Sequence, residues 1–226
     1  MAVKPPRFRH AHLDLDGTLA DTAEDLVEST NHVRRSFGLE PLEPQAILRL
    51  VGRGARVLVE RALGPNRAEL YEEGVRRLLE HYGVHCLDHT RPFRGMTEMM
   101  DGLASLGVSF SVITNKPEAL SRKILDGLDL TRRLVAIVGG DTFPERKPHP
   151  RGIEHVRSLC AISPPDSLMV GDSEIDVETA RAAGIACCGV LWGLDPKGLR
   201  AAGPQFLVNT AAELTRVIEK GSPWTP

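Results

Sequence analysis

The sequence predicts an α/β fold: a mostly parallel sheet core with helices on both faces, interrupted by an inserted α-helical segment. Three observations predict it. Short apolar runs recur along the chain with amphipathic stretches between them, the alternation that builds a parallel sheet covered on both sides. The rhythm breaks between residues 22 and 92, where only helical patterning is found. Acidic residues, small hydrogen-bonding residues and a lysine follow the ends of several apolar runs, where open α/β sheets bind their ligands.

The first run, residues 9–14, ends in HLDLDGT, whose Asp-Gly pair marks a turn. Leu26, Val27, Thr30, Val33 and Phe37 then share one helical face, and Gly38 stops that helix. Asn66 and Glu69 have the spacing of a capping box for a helix carrying Leu70, Val75, Leu78, Leu79 and Tyr82. Pro92 and Gly95 mark the exit hinge. Further strands are expected at 108–114, 134–138, 167–171, 185–190 and 206–208. Helices are expected at 96–106, 117–126, 150–160, 175–183 and 211–219, with Gly107 and Gly184 closing two of them. The expected division is a discontinuous core, 1–21 and 93–226, and a helical domain, 22–92.

Composition excludes several classes. With 42% hydrophobic and 26% charged residues, the 226-residue chain can bury a core without covalent staples. A net charge of −2 supplies no field for nucleic acid or anionic lipid. The start, MAVKPPRFRH, lacks an apolar signal-peptide core, and no apolar run is long enough to span a membrane. The four cysteines form no CxxC pair, which suits reduced thiols in a cytoplasmic protein. The end, KGSPWTP, reads as a frayed tail.

The chemistry starts at Asp14 and Asp16. Burying a carboxylate is costly unless it is paired or binds a metal, and in an extended segment the two would point the same way. Positive charge is therefore expected beside them. Thr114 and Asn115, at the end of VSFSVITN, are small donors suited to a phosphate oxygen. Lys147 follows the GGDTFPE loop, and Asp172 and Asp176 open the helix after SLMV. Four carboxylates on one sheet edge call for a cation with oxygen ligands, and Mg²⁺ fits.

The ordered set DLDGT, VITN, K-P and GDSEID resembles the haloacid dehalogenase-type phosphatases. VGRGARVLVERALG, VITNKPEAL, VGGDTFPERKPHP and VGDSEIDVETARAAG are similar to their phosphoglycolate phosphatase subfamily. The resemblance implies a Rossmann-like core, with 22–92 as a cap over the site. It implies that Asp14 is the nucleophile, forming an aspartyl-phosphate, and that Asp16 is the general acid and base. Mg²⁺ would lie between the Asp14 carboxylate, the Asp16 backbone carbonyl and Asp172, with Asp176 in support. Thr114, Asn115 and Lys147 would hold the phosphoryl oxygens, helped by backbone N–H groups of residues 15–17. The partner is then a small-molecule phosphate ester, 2-phosphoglycolate above all, hydrolysed by a monomer or homodimer. The alternatives are a sugar phosphomutase similar to β-phosphoglucomutase and a non-catalytic phosphate-sensing protein.

Two features lie outside that pattern. His12 and Leu13 stand where the family carries a bulky apolar pair, and a hydrogen-bonded core histidine is the favoured role of His12. In VGRGAR, Gly52 and Gly54 follow a helical stretch and lack the third glycine of a dinucleotide fingerprint. Arginine suits a planar carboxylate, so Arg53, with Arg56 beside it, is the candidate for the end of the substrate opposite its phosphate.

Overall fold

A computed structural model describes residues 5–223. Met1–Lys4, within the stretch read for a signal peptide, and Trp224–Pro226, within the expected frayed tail, lie outside the described residues. Strand β1 (His10–Leu13) is buried at every position. Its side chains alternate across the sheet. Ala11 and Leu13 join the apolar cluster on one face, whereas His10 and His12 hydrogen-bond to Ser109 and Ser111.

The chain leaves the sheet after Leu13, turns, and forms a two-residue strand, β2 (Ala20–Asp21). Four helices follow: α1 (Ala23–Ser36), α2 (Pro44–Leu48), α3 (Ala55–Leu63) and α4 (Tyr71–His85). Val33, Ile47, Leu58, Val59, Leu63 and Leu78 give these helices an apolar cluster of their own. Strand β3 (Arg91–Pro92) returns antiparallel to β2, with Ala20 opposite Pro92 and Asp21 opposite Arg91. The buried Asp25 carboxylate accepts from the backbone N–H groups of His89 and Thr90 and from the Thr90 hydroxyl. Those bonds fasten the returning chain to the first turn of α1.

Two expectations change here. The β2–β3 ribbon is too short to carry an alternating pattern, so no strand was legible near residue 92. Asn66 does not cap α4. Residues 65–70 form a 3₁₀ stretch in which Asn66 and Arg67 leave helical geometry, and α4 starts at Tyr71 without a side-chain cap.

Beyond β3, helix α5 (Met96–Ala104), strand β4 (Ser109–Ile113), helix α6 (Glu118–Gly127), strand β5 (Ala136–Val138) and helix α7 (Arg151–Cys160) follow in order. Strand β6 (Ser167–Gly171), helix α8 (Glu174–Ala182), strand β7 (Ala186–Val190), helix α9 (Pro196–Ala202), strand β8 (Phe206–Val208) and helix α10 (Ala211–Lys220) complete the described fold. The large sheet has the order β5-β4-β1-β6-β7-β8, and every pair in it is parallel. One face packs on α5, α6 and α10 through Met100, Ile124 and Val217. The other packs on α7, α8 and α9 through Ile153, Val177 and Leu199. The adjacent Cys187 and Cys188 fall on opposite faces, and all four cysteines are free thiols. Helix α9 was not anticipated, although Asp195 caps it by accepting from the Gly198 N–H and Pro196 opens it. Among the described residues no helix is long and apolar enough to cross a membrane.

Two glycines of α4 give a test of packing in the helical cluster. A Cβ on Gly74 would lie 2.7 Å from Val59 Cγ1, whereas one on Gly83 would meet nothing within 4 Å. Gly74→Ala should therefore lose about 1–3 kcal/mol to overpacking. Gly83→Ala should gain about 0.5–1 kcal/mol from helix propensity. Urea denaturation of the two variants beside wild type checks the opposite signs.

Candidate active site

β1 lies between β4 and β6, at the point where the strand order reverses direction. Its carboxyl end is therefore the crevice where ligands bind in such sheets. Asp14 follows β1, Thr114 and Asn115 follow β4, and Asp172 follows β6. Asp176 sits in the first turn of α8, and Lys147 precedes α7.

At the floor, Lys147 Nζ lies 3.0 Å from Asp14 Oδ1 and 2.7 Å from Asp176 Oδ1. Asp176 Oδ2 also accepts from the backbone N–H and hydroxyl of Ser173, closing a capping box at the start of α8. Asp172 Oδ2 accepts from the Leu194 N–H at 2.7 Å. Burial works against the Lys147 ammonium, but Asp14 and Asp176 outweigh it and hold its pKa above the ordinary value. Burial, with the charges of Asp176 and Asp16 in support, pushes Asp14 up to about 6 against the pull of Lys147. Burial likewise raises Asp172 well above the carboxylate range, and Asp176 and Asp14 add to it.

Small residues permit this crowding. Gly17 has φ +74°, and a Cβ there would lie 2.2 Å from Asp172 Oδ2. A Cβ on Gly171 would lie 2.2 Å from Asp176 Cγ.

Asp14 and Asp16 both line the cavity while Leu15 between them is buried in the apolar core, so the two face the same way although β1 ends at Leu13. Lys147 does not serve both of them. Asp16 Oδ1 instead accepts from Lys116 Nζ at 2.6 Å and from Thr22 Oγ1 at 2.7 Å. Lys116 also donates to the Tyr82 hydroxyl, 2.8 Å away, and lies over that ring. The sequence predicts one lysine for both aspartates, whereas the structure gives each its own. Lys116 directly follows Asn115 in VITNK, and the need for a second counter-charge was the signal that could have found it.

Helix α4 and the 51–54 loop roof a cavity of about 180 Å³. Asp14, Asp16, Thr114, Lys116 and Asp172 line it below; Val51, Arg53, Leu58, Leu78 and Tyr82 line it above. Asn115 donates both of its amide contacts to carbonyls, Gly52 O at 2.9 Å and Lys147 O at 3.0 Å. Its backbone N–H and that of Asp16 have no acceptor among the described residues. By contrast, the N–H of Leu15 goes to Asp14 and that of Gly17 to Ala20. Of the 15–17 loop, Asp16 alone keeps a donor to spare. Arg53 lines the cavity at its outer lip and pairs with Glu174 at 2.9 Å. Arg56 pairs with Glu60 and Glu72 and lies outside the lining. His12 is fully buried, hydrogen-bonds to Ser111, and burial holds its pKa well below the ordinary value.

Asp14, Asp172 and Asp176 each offer a buried carboxylate oxygen, all within 4.8 Å of one another. Such an all-oxygen donor set suits a hard divalent cation. Charge agrees with it: four ionised carboxylates against two lysines would leave a surplus of two negative charges, and it is this excess, with burial, that presses Asp14 and Asp172 toward their neutral forms when no cation is bound. The Asp16 carbonyl, expected as a further ligand, takes no backbone hydrogen bond among the described residues.

Comparison with known proteins identifies the family. The family model described as haloacid dehalogenase-like hydrolase matches residues 13–190. A phosphoglycolate phosphatase of Agrobacterium fabrum is 37% identical, over 94% of this chain and 95% of that protein. One from Chromobacterium violaceum is 38% identical, over 92% of this chain and 95% of its own. Among solved structures, one from Haemophilus somnus, described as a predicted phosphoglycolate phosphatase, superposes with a TM-score of 0.87 at 26% identity. That alignment covers 93% of this chain and 98% of the other.

Replacing the floor lysine isolates its counter-charge. Its side chain is 3% exposed, so Lys147→Met strands the paired carboxylates in the interior. A loss of about 3–5 kcal/mol is expected in urea denaturation.

Proposed function

This chain belongs to the haloacid dehalogenase-like hydrolases, and on that premise we propose that it hydrolyses 2-phosphoglycolate to glycolate and phosphate. The observation that carries the reading is the floor of the cavity. There Asp14, held 3.0 Å from a buried ammonium, is a carboxylate with a counter-charge already in place.

In the first half-reaction an Asp14 carboxylate oxygen forms a bond to phosphorus as the bond from phosphorus to the glycolate oxygen breaks. Asp16 gives its proton to the departing oxygen. In the second, Asp16 takes a proton from water as that water attacks phosphorus, and the bond to Asp14 breaks to release phosphate. Lys147 offsets the charge on Asp14 and on the phosphoryl oxygens nearest it. The spare N–H groups of Asp16 and Asn115 and the Thr114 hydroxyl are the donors for the phosphoryl oxygens. Asp14, Asp172 and the Asp16 carbonyl, with Asp176 behind, would hold Mg²⁺, which would supply the positive charge that a carboxylate needs to approach a phosphate dianion.

Residues 22–92 act in this reading as a cap domain on the 1–21 and 93–226 core. The cap's Val51, Leu58 and Leu78 exclude water from the reacting atoms. Arg53, at the lip, exchanges Glu174 for the substrate carboxylate; that ion pair is exposed and weak enough to be given up. The free thiols fit a reducing, cytoplasmic setting.

Phosphate release from 2-phosphoglycolate and from ethyl phosphate, which lacks the carboxylate, tests both halves of the reading. Asp14→Asn should lower turnover of both by ~10⁴-fold or more. Chelation should abolish it and added Mg²⁺ restore it. Arg53→Ala should raise KM for 2-phosphoglycolate about tenfold and leave ethyl phosphate within about twofold. Equal effects on the two esters would remove carboxylate recognition, and turnover by Asp14→Asn would remove the nucleophile.

A further inference from the structure

The contacts of Lys116 are not explained by holding a phosphate. Its ammonium is nearly enclosed, with the side chain 5% exposed. It meets Asp16 from the core on one side and Tyr82 from helix α4 on the other. Thr22, at the start of α1, donates to the same Asp16 oxygen and also lies against the Tyr82 hydroxyl. Burial raises the Tyr82 pKa, so it stays a neutral phenol. Two donors thus converge on Asp16 Oδ1, while Oδ2 has no hydrogen-bond partner among the described residues.

We infer that Lys116 is a positioning residue for Asp16: it fixes the plane of that carboxyl group, and it does so fully only while α4 is seated. An oxygen that already accepts from two donors cannot also carry the acid proton. Oδ1 being committed, the proton of the protonated form belongs on Oδ2. Asp16 lines the cavity, so Oδ2 is the oxygen left for the departing group. If α4 lifts, the ammonium loses both the Tyr82 oxygen and the face of its ring. It then turns toward water, and Asp16 loses its alignment. Proton transfer is thereby tied to closure, and water reaching an open site meets a poorly aimed base. This inference rests on the reading of Asp16 as general acid and base.

The test uses the purified protein and two esters, with ethyl phosphate as a third in reserve. 2-Phosphoglycolate needs a proton on its leaving oxygen; 4-nitrophenyl phosphate does not. Lys116→Met should lower kcat/KM for 2-phosphoglycolate about 100-fold and for the aryl ester less than about fivefold. Because the second half-reaction also needs Asp16, the variant should release about one equivalent of nitrophenolate in a burst. Tyr82→Phe, which removes one oxygen and keeps the ring, should shift the ratio of the two esters the same way by about 5–10-fold. The double variant should be no worse than Lys116→Met, since both changes break one linkage.

Parallel losses on the two esters, or fully additive losses in the double variant, would overturn the inference. Should Lys116→Met fail to fold, Tyr82→Phe decides alone by the same ratio. Wild-type protein inert toward both esters would sink the phosphatase reading and this inference with it. Wild type that cleaves only the aryl ester and ethyl phosphate would sink the substrate alone, with ethyl phosphate then serving as the alkyl ester.

Discussion

Negative charge held out of water at the end of β1 is the constraint on which the rest of the site depends. A carboxylate in such a place costs several kcal/mol unless cations or donors surround it. Asp14, Asp172 and Asp176 crowd one another, and each solution to the crowding recruits a different part of the chain. Lys147 arrives from the loop before α7, and Ser173 caps one oxygen of Asp176. The backbone draws close enough only because Gly17 and Gly171 carry no side chain. The apolar packing on both faces holds the strands that deliver these groups to one place.

The sheet was legible because each strand and helix carries its own period. Residues 167–171 and 206–208 fall where the apolar runs placed them, and other boundaries differ by a residue or two. Of the residues singled out for the site, Asp14, Lys147, Asp172 and Asp176 meet at its floor, because the strand ends that carry them are neighbours. Two misreadings have physical causes. Lys116 was passed over because a lysine beside a turn is usually solvated, and nothing local shows that a helix 34 residues away will cover it. Asn66 and Glu69 have the spacing of a cap, but the backbone at Asn66 and Arg67 is not helical.

Contacts between the helical segment and the sheet form a polar seam around the cavity. Asn115 meets the Gly52 carbonyl, Arg53 meets Glu174, and Lys116 meets Tyr82. Such bonds can be exchanged for bonds to water at a small net cost. The helices also have an apolar cluster of their own, whereas Leu26, Tyr82 and Cys86 join that of the sheet. The helices are thus firm within themselves, and their seat on the core combines this polar seam with a smaller apolar contact.

The paired crossing at Ala20–Pro92 has a last consequence. Because the outgoing and returning strands lie side by side, what separates them in sequence has no effect on how the sheet closes. To β1 and α5 the whole excursion is equivalent to a tight hairpin, and lengthening it adds only a logarithmic entropic penalty. The roof can therefore be remodelled by insertion or exchange while the strand ends beneath keep their places, provided the Tyr82 contact to Lys116 is retained.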